Sequence, residues 1–191
     1  MLDTYLSWYR ESRMDESEFR SVTHHLAQSG LTVEHPKLGC GMLLDVAGEQ
    51  VRLAVGRILE LEGLSVGPLC LQLWLSADTD VVCHVRYVAP DTQVLTFVLG
   101  ELTDNEREQA TDAVQRLIQR ALDRTVALLV DLGGEAADED DDALVLYGRL
   151  PMGPRPERVQ FRTDRLSAVR AILAGAEVKD PGNGLSTVRW Y

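Results

Sequence analysis

The residues that most invite chemistry are acidic, and they stand together in the segment EAADEDDD, residues 135–142. Six of its eight side chains carry a carboxylate. Carboxylates can hold a divalent cation, act as general acids or bases, or attract a basic protein partner. They can also form a solvated loop that mutual repulsion keeps extended. We interpret the segment first as a solvated loop, second as a docking surface and only third as a metal site.

The spacing of these acids does not match a calcium-binding loop. An EF-hand loop places oxygen ligands at alternate positions, followed by a glycine and, further on, by a bidentate glutamate. Counted from Asp138, the residues Asp140 and Asp142 fit the alternate spacing, but Ala143 replaces the glycine and Arg149 replaces the glutamate. The segment is therefore not an EF-hand, and we predict neither a metal ion nor a cofactor.

The four histidines also lack a metal-binding pattern. His24 and His25 are neighbours on a predicted helix, so their side chains point about 100° apart and cannot face one ion. We expect His25 at the border of the core and His24 in solvent. His35 and His84 are isolated in the sequence, so a histidine site would have to be assembled by folding.

No local motif supports nucleophilic catalysis or phosphate binding. The chain has no G-x-S-x-G nucleophile elbow and no glycine-rich phosphate loop. Cys83 precedes His84, but neighbours on a strand point to opposite faces, so they form no ready dyad. Cys40 lies between glycines and is either an exposed, reactive thiol or a buried, inert one. We therefore predict that the protein is not an enzyme.

The composition limits the kinds of partner. The formal net charge is −11, which repels nucleic-acid phosphates and attracts a basic protein. No apolar run is long enough to cross a membrane, and the N-terminus lacks the regions of a signal peptide. The three cysteines show no metal-binding spacing, which is typical of reduced thiols. These features predict a cytoplasmic protein with a basic protein partner and no nucleic-acid or membrane partner.

The elements that would position these residues begin with a strand and a helix. LDTYLSWYR, residues 2–10, alternates with a period of two and predicts a strand. The next segment predicts a helix that is capped by Asp15 and Glu18, with Gly30 just beyond its end.

Predicted strands dominate the middle of the chain. CGMLLDV and VRLAVGRI flank AGEQ and predict a hairpin. Three further runs, separated by turn residues, predict an antiparallel meander, and they are LCLQLWLSA, VVCHVRYV and TQVLTFVLGEL. In the second of these runs, the face that carries Val81, Cys83, Val85 and Tyr87 is predicted to point to the core.

A long helix and more strands complete the fold. Thr103 and Glu106 form a T-x-x-E capping box at the start of an apolar helical stripe. VALLVDL, which follows, could prolong this helix or form a strand. Beyond the acidic segment, ALVLYGRL, VQFRT and GLSTVRWY predict strands and DRLSAVRAILAG predicts a helix. The fold class is therefore α+β, a mainly antiparallel sheet with a central meander and two to three helices packed on it. We expect one domain over residues 1–191, with residues 151–191 as a candidate appendage.

Part of the chain resembles a known family. ALDRTVALLVDLGGEAADEDDDALVLYGRLP, residues 121–151, is similar to small bacterial immunity proteins of polymorphic or contact-dependent toxin systems. In some of those families a helix ends in an apolar run, an acidic turn follows, and an apolar strand closes near a glycine. The opening strand and helix, and the strands before the long helix, have a similar layout. The resemblance implies a non-enzymatic, acidic, cytoplasmic inhibitor that binds a cognate toxin.

Charge, missing motifs and resemblance agree on a binding protein. We expect an immunity protein that neutralises a basic toxin by direct contact. The first alternative is an acidic secretion chaperone. The second is an enzyme whose site, built from His84, an acidic residue and a cysteine, forms only on folding. The predicted partner-binding residues are Glu135, Asp138, Glu139, Asp140, Asp141 and Asp142.

Overall fold

The computed structural model describes residues 4–63, 68–131, 138–150 and 155–190. The helices of these residues are α1 (Glu16–Gln28), α2 (Val55–Gly63), α3 (Asp104–Arg120) and α4 (Asp138–Tyr147). The strands are β1 (Tyr5–Glu11), β2 (Gly41–Leu44), β3 (Gln50–Leu53), β4 (Leu69–Trp74), β5 (Asp80–Ala89), β6 (Thr92–Val98), β7 (Thr125–Asp131), β8 (Arg158–Arg162), β9 (Ala176–Lys179) and β10 (Leu185–Trp190). None of the helices described here combines the length and the apolar character that spanning a membrane requires.

The described strands form one sheet in the order β3-β2-β4-β5-β6-β1-β7-β8-β10-β9, and each neighbouring pair is antiparallel. The predicted meander is confirmed as β4, β5 and β6, and β1 joins it to the C-terminal strands. The predicted α+β class with a mainly antiparallel sheet is confirmed. β8, β10 and β9 continue the same sheet, while the number of domains stays a prediction.

Both predicted helix starts are confirmed. The Asp15 carboxylate accepts a hydrogen bond from the Glu18 amide at 2.8 Å, and the Glu18 carboxylate accepts one from the Asp15 amide at 3.3 Å. Thr103 and Glu106 cap α3 in the same reciprocal way. Each box satisfies backbone amides that a first helical turn leaves unpaired, so these two local pairs determine where α1 and α3 begin.

The sheet has two faces, which the side chains of β1 distinguish. Leu6 and Trp8 point into the core beneath α1, α2 and α3, on what we call the helical face. Tyr5 and Tyr9 point to what we call the opposite face. Cys83 of β5 lies in the core of the helical face, as the alternation predicts, and is 1% exposed.

A second core lies on the opposite face, where α4 packs. Leu144 and Val145 of α4 are buried there with Phe161 of β8. A short 3-10 turn, Arg170–Leu173, contributes Ile172 to the same core. This core spans the strands from β6 to β10 in the sheet order, and α4 lies over the middle of the sheet, where it contacts β1 and β7.

The predicted loop over the acidic residues and the predicted strand over ALVLYGRL are both wrong for residues 138–147, which form α4. Asp141, Leu144 and Val145 have helical spacing and are all buried, whereas a strand would send the two apolar neighbours to opposite faces. VALLVDL, which could be helix or strand, is β7 up to Asp131.

Two other predictions need correction. The strand predicted over VRLAVGRI ends at Leu53, because Val55, Ile58 and Leu59 have the spacing of the helix α2. The helix predicted over DRLSAVRAILAG is replaced by two 3-10 turns, since a spacing of three between Val169 and Ile172 suits that helix equally well. The strand β9 follows, for which the sequence predicts nothing.

Candidate functional site

The acidic segment lies only partly on the surface. Glu135 is outside the described residues, and so are the side chains of Asp138 and Glu139, whose backbone begins α4. Asp140 is partly exposed, whereas Asp141 is only 1% exposed. Asp142 follows as a side chain that is 20% exposed. The last two acids of the segment, Asp141 and Asp142, are therefore largely buried rather than solvated.

Asp142 is held by two strands of the sheet. Arg86 of β5 donates from Nη1 to Asp142 Oδ2 at 2.6 Å and from Nη2 to Oδ1 at 2.8 Å. Tyr9 of β1 donates its hydroxyl to Asp142 Oδ1 at 2.8 Å. Paired bonds between a guanidinium and a carboxylate are among the strongest and most directional polar contacts in proteins. Because both charged side chains are about one-fifth exposed, salt screens this pair little.

Asp141 is anchored beside it. The Tyr5 hydroxyl donates to Asp141 Oδ2 at 2.8 Å. Tyr5 and Tyr9 lie on the same face of β1, so their hydroxyls reach adjacent residues of α4. We call Asp141, Asp142, Tyr5, Tyr9 and Arg86 the carboxylate clamp. In this structure both carboxylates anchor α4 to the sheet, a role that differs from the docking role expected of them.

The electrostatics of the clamp favour a structural role for Tyr9 over a role in proton transfer. Burial raises the pKa of Tyr9 far above its ordinary value, and the carboxylates of Asp142 and Asp141 raise it further. Arg86 acts in the opposite direction but does not cancel these effects. Tyr9 therefore stays protonated and remains a hydrogen-bond donor near neutral pH, whereas a general acid or base works best with a pKa near the working pH.

Sequence reasoning missed Tyr5, Tyr9 and Arg86 because they are remote from the acids. Tyr5 is 136 positions from Asp141, and Arg86 is 56 positions from Asp142. The sequence contains one indication of these contacts. A strand that buries two tyrosines on one face needs hydrogen-bond acceptors for their hydroxyls. That requirement indicates that acceptors exist but does not locate them.

Two residues considered for catalysis, Cys83 and His84, lie on opposite faces of β5. Cys83 is buried on the helical face and His84 is exposed on the opposite face, so they form no dyad, as predicted. Cys70 of β4 pairs with His84 in the sheet register, a proximity that the sequence does not reveal. Burial raises the pKa of the Cys70 thiol, whereas a nucleophilic cysteine needs a lowered pKa.

The histidines His24, His25 and His35 contact side chains other than a metal-ligand cluster within the described residues. His24 is exposed and its Nε2 lies 3.0 Å from Gln28 Nε2, while His25 is partly exposed, as expected for both. His35 is buried, with its ring 4.3 Å from that of Trp74. Across residues 4–63, 68–131, 138–150 and 155–190, no group of three His, Cys, Asp or Glu residues could hold a metal ion.

No protein-family model, no curated protein and no solved structure matches this chain. The main feature of the site is an acidic helix that the carboxylate clamp holds against the sheet.

Proposed function

We propose that this protein is a non-enzymatic, cytoplasmic binding protein of the immunity-protein type, which neutralises a basic toxin by direct contact. The observation that supports this proposal is the carboxylate clamp. Because Asp141 and Asp142 are tied to Tyr5, Tyr9 and Arg86, α4 is held against the sheet. A binding surface that is built on an ordered element loses less conformational entropy on association.

The charge of the chain supports a basic partner. It has 30 Asp and Glu residues against 19 Lys and Arg residues. Clustered charge of one sign speeds association with a partner of the opposite sign and disfavours partners of the same sign. An inhibitor that covers its target needs a shape-matched, charge-matched surface rather than catalytic residues.

The acidic segment has two roles in this function. Asp141 and Asp142 hold α4 in place, and the acids before them contact the partner. Neutralising the earlier acids leaves the clamp intact, so mutation can separate the two roles. The residues proposed to contact the partner are Glu135, Asp138, Glu139 and Asp140.

The test begins with capture of partners by the tagged protein from a lysate of its source cells, followed by mass spectrometry. A captured basic protein is then purified, and its association rate is measured at low and high salt. With the variant E135Q/D138N/E139Q/D140N, the acidic-segment variant, the rate at low salt should fall about ten-fold or more and depend less on salt.

A matched control removes the same charge elsewhere. The control E34Q/E49Q/E101Q/E108Q neutralises four exposed acids outside α4 and should associate nearly as fast as the wild type. Co-expression of the wild type should also protect bacterial cells from the captured protein. Equal rates for the two variants would contradict the role of the acidic segment. A captured set without any basic protein would contradict the immunity-type function.

A further inference from the structure

A second charged surface lies on the helical face, beyond α3. There β8, β10 and β9 present side chains that alternate with Val159, Phe161 and Val188, which are buried on the opposite face. The side chains that point to the helical face are nearly all polar or charged, and they are Arg158, Gln160, Arg162, Glu177, Lys179, Thr187 and Arg189. The C-terminal strands therefore carry a polar surface on the same face as the helices.

A groove of about 490 Å³ separates α3 from these strands. Amide side chains line it, with Gln115 and Gln119 from α3, Gln160 from β8 and Asn183 just before β10. Leu185 contributes apolar surface. An amide both donates and accepts hydrogen bonds, as the backbone of an extended peptide does, so this lining matches a polypeptide.

Two arginines lie at one end of the same strands. Arg158 and Arg189 follow the pair formed by Val159 and Val188 in the register of β8 and β10, so they are neighbours across the strands. Neither forms an ion pair within the described residues, and the buried Nε of each has no hydrogen-bond acceptor there. Like charges side by side on one sheet face are destabilising, and an anion bound between them would remove that repulsion.

Two acids near these arginines form ion pairs with other cations in the described part of the chain. Asp112, which lines the groove, lies 3.5 Å from Arg116. Glu177, opposite Arg189 in the register of β9, lies 3.0 Å from Lys179. Arg158 and Arg189 therefore have no ion pair among the described residues, in a chain whose net charge is −11.

We propose that the amide-lined groove and the arginine pair beyond it on the same strands, Arg158 and Arg189, together bind an acidic, extended segment of a partner protein. We call this combined surface the basic groove. The guanidinium groups pair with carboxylates and the amides with the peptide backbone. A nucleic acid fits less well, because the net charge of the chain repels its phosphates. This inference does not depend on the proposed function, which concerns α4 on the opposite face.

The test is fluorescence anisotropy at low salt with a short fluorescein-labelled peptide of alternating Glu and Ser. The wild type should bind this peptide, and R158Q/R189Q, the groove variant, should bind at least about ten-fold more weakly because charge-assisted hydrogen bonds are lost. The control R52Q/R57Q removes the same charge from exposed arginines of β3 and α2, and should bind like the wild type.

Several results would overturn the proposal. These are no binding of the peptide by the wild type, equal binding by the groove variant and its control, and tighter binding of a labelled oligonucleotide. Amide shifts in NMR spectra of the wild type supply a readout that needs no variant. Shifts caused by the peptide should concentrate at Gln160, Asn183 and Thr187, and shifts confined to α4 would count against the groove.

Discussion

The carboxylate clamp and the basic groove are both charged, but their charges have different surroundings. In the clamp, Asp142 accepts three hydrogen bonds from Tyr9 and Arg86. In the groove, Arg158 and Arg189 form no ion pair within the described residues. Charges that are paired and shielded hold parts of a fold together, and charges without partners at a surface are available for recognition.

The two regions should therefore respond differently when a charge is removed. Neutralising an acid of the clamp leaves its partners in a partly buried site without their counter-charge, which costs stability. Neutralising the arginines of the groove removes repulsion between neighbours and costs little. The free energy of unfolding can therefore distinguish charges that stabilise the fold from charges that recognise a partner.

The largest change in the free energy of unfolding is expected for a variant of the clamp. Asp142→Asn removes the negative charge that faces Arg86 and should lower the free energy of unfolding by about 2–4 kcal/mol. Urea denaturation measures the change. The control is Asp112→Asn, because the pair of Asp112 with Arg116 is more than half exposed and should contribute at most about 1 kcal/mol. Equal losses in the two variants would mean that the clamp does not hold α4.

A smaller effect depends on pH. The folded-state pKa of Tyr9 is raised above the ordinary 10.0, so at higher pH the unfolded chain loses a proton that the folded chain keeps. Stability should fall as pH rises above about 10, by up to about 1.4 kcal/mol per pH unit from this group. Tyr9→Phe should remove that part of the slope, and Tyr147→Phe, at a side chain 65% exposed, should not. Urea denaturation at alkaline pH measures the slopes, and equal slopes in all three proteins would rule out a buried, protonated Tyr9.

The smallest change in the free energy of unfolding is expected for the groove variant. The groove variant R158Q/R189Q should keep the free energy of unfolding within about 0.5 kcal/mol of the wild type, or raise it. Urea denaturation beside the control R52Q/R57Q measures this change. A loss as large as that of Asp142→Asn would show that the two arginines stabilise the fold and would remove the contrast with the clamp.

Near neighbours in the sequence predict the parts of the fold that depend on local contacts. Asp15 with Glu18, and Thr103 with Glu106, form their capping boxes within one helical turn, so both helix starts follow from the sequence. The alternation of side chains predicts β1 and the meander for the same reason, because it shows directly which residues share a face.

Distant contacts explain what the sequence does not predict. The run that contains Leu144 and Val145 suits a strand as well as a helix. Asp141, just before that run, accepts a hydrogen bond from Tyr5 of the first strand, far away in the sequence. The groove depends on the register that brings Arg158 beside Arg189, and no local pattern reveals that register. Both charged regions are therefore products of tertiary structure.

The most direct test is a parallel capture of partners at low salt with the wild type, the acidic-segment variant and the groove variant. We predict that the acidic-segment variant loses a basic partner and keeps an acidic one, and that the groove variant does the reverse. Identical sets of captured proteins from all three would contradict the claim that these two charged regions recognise partners.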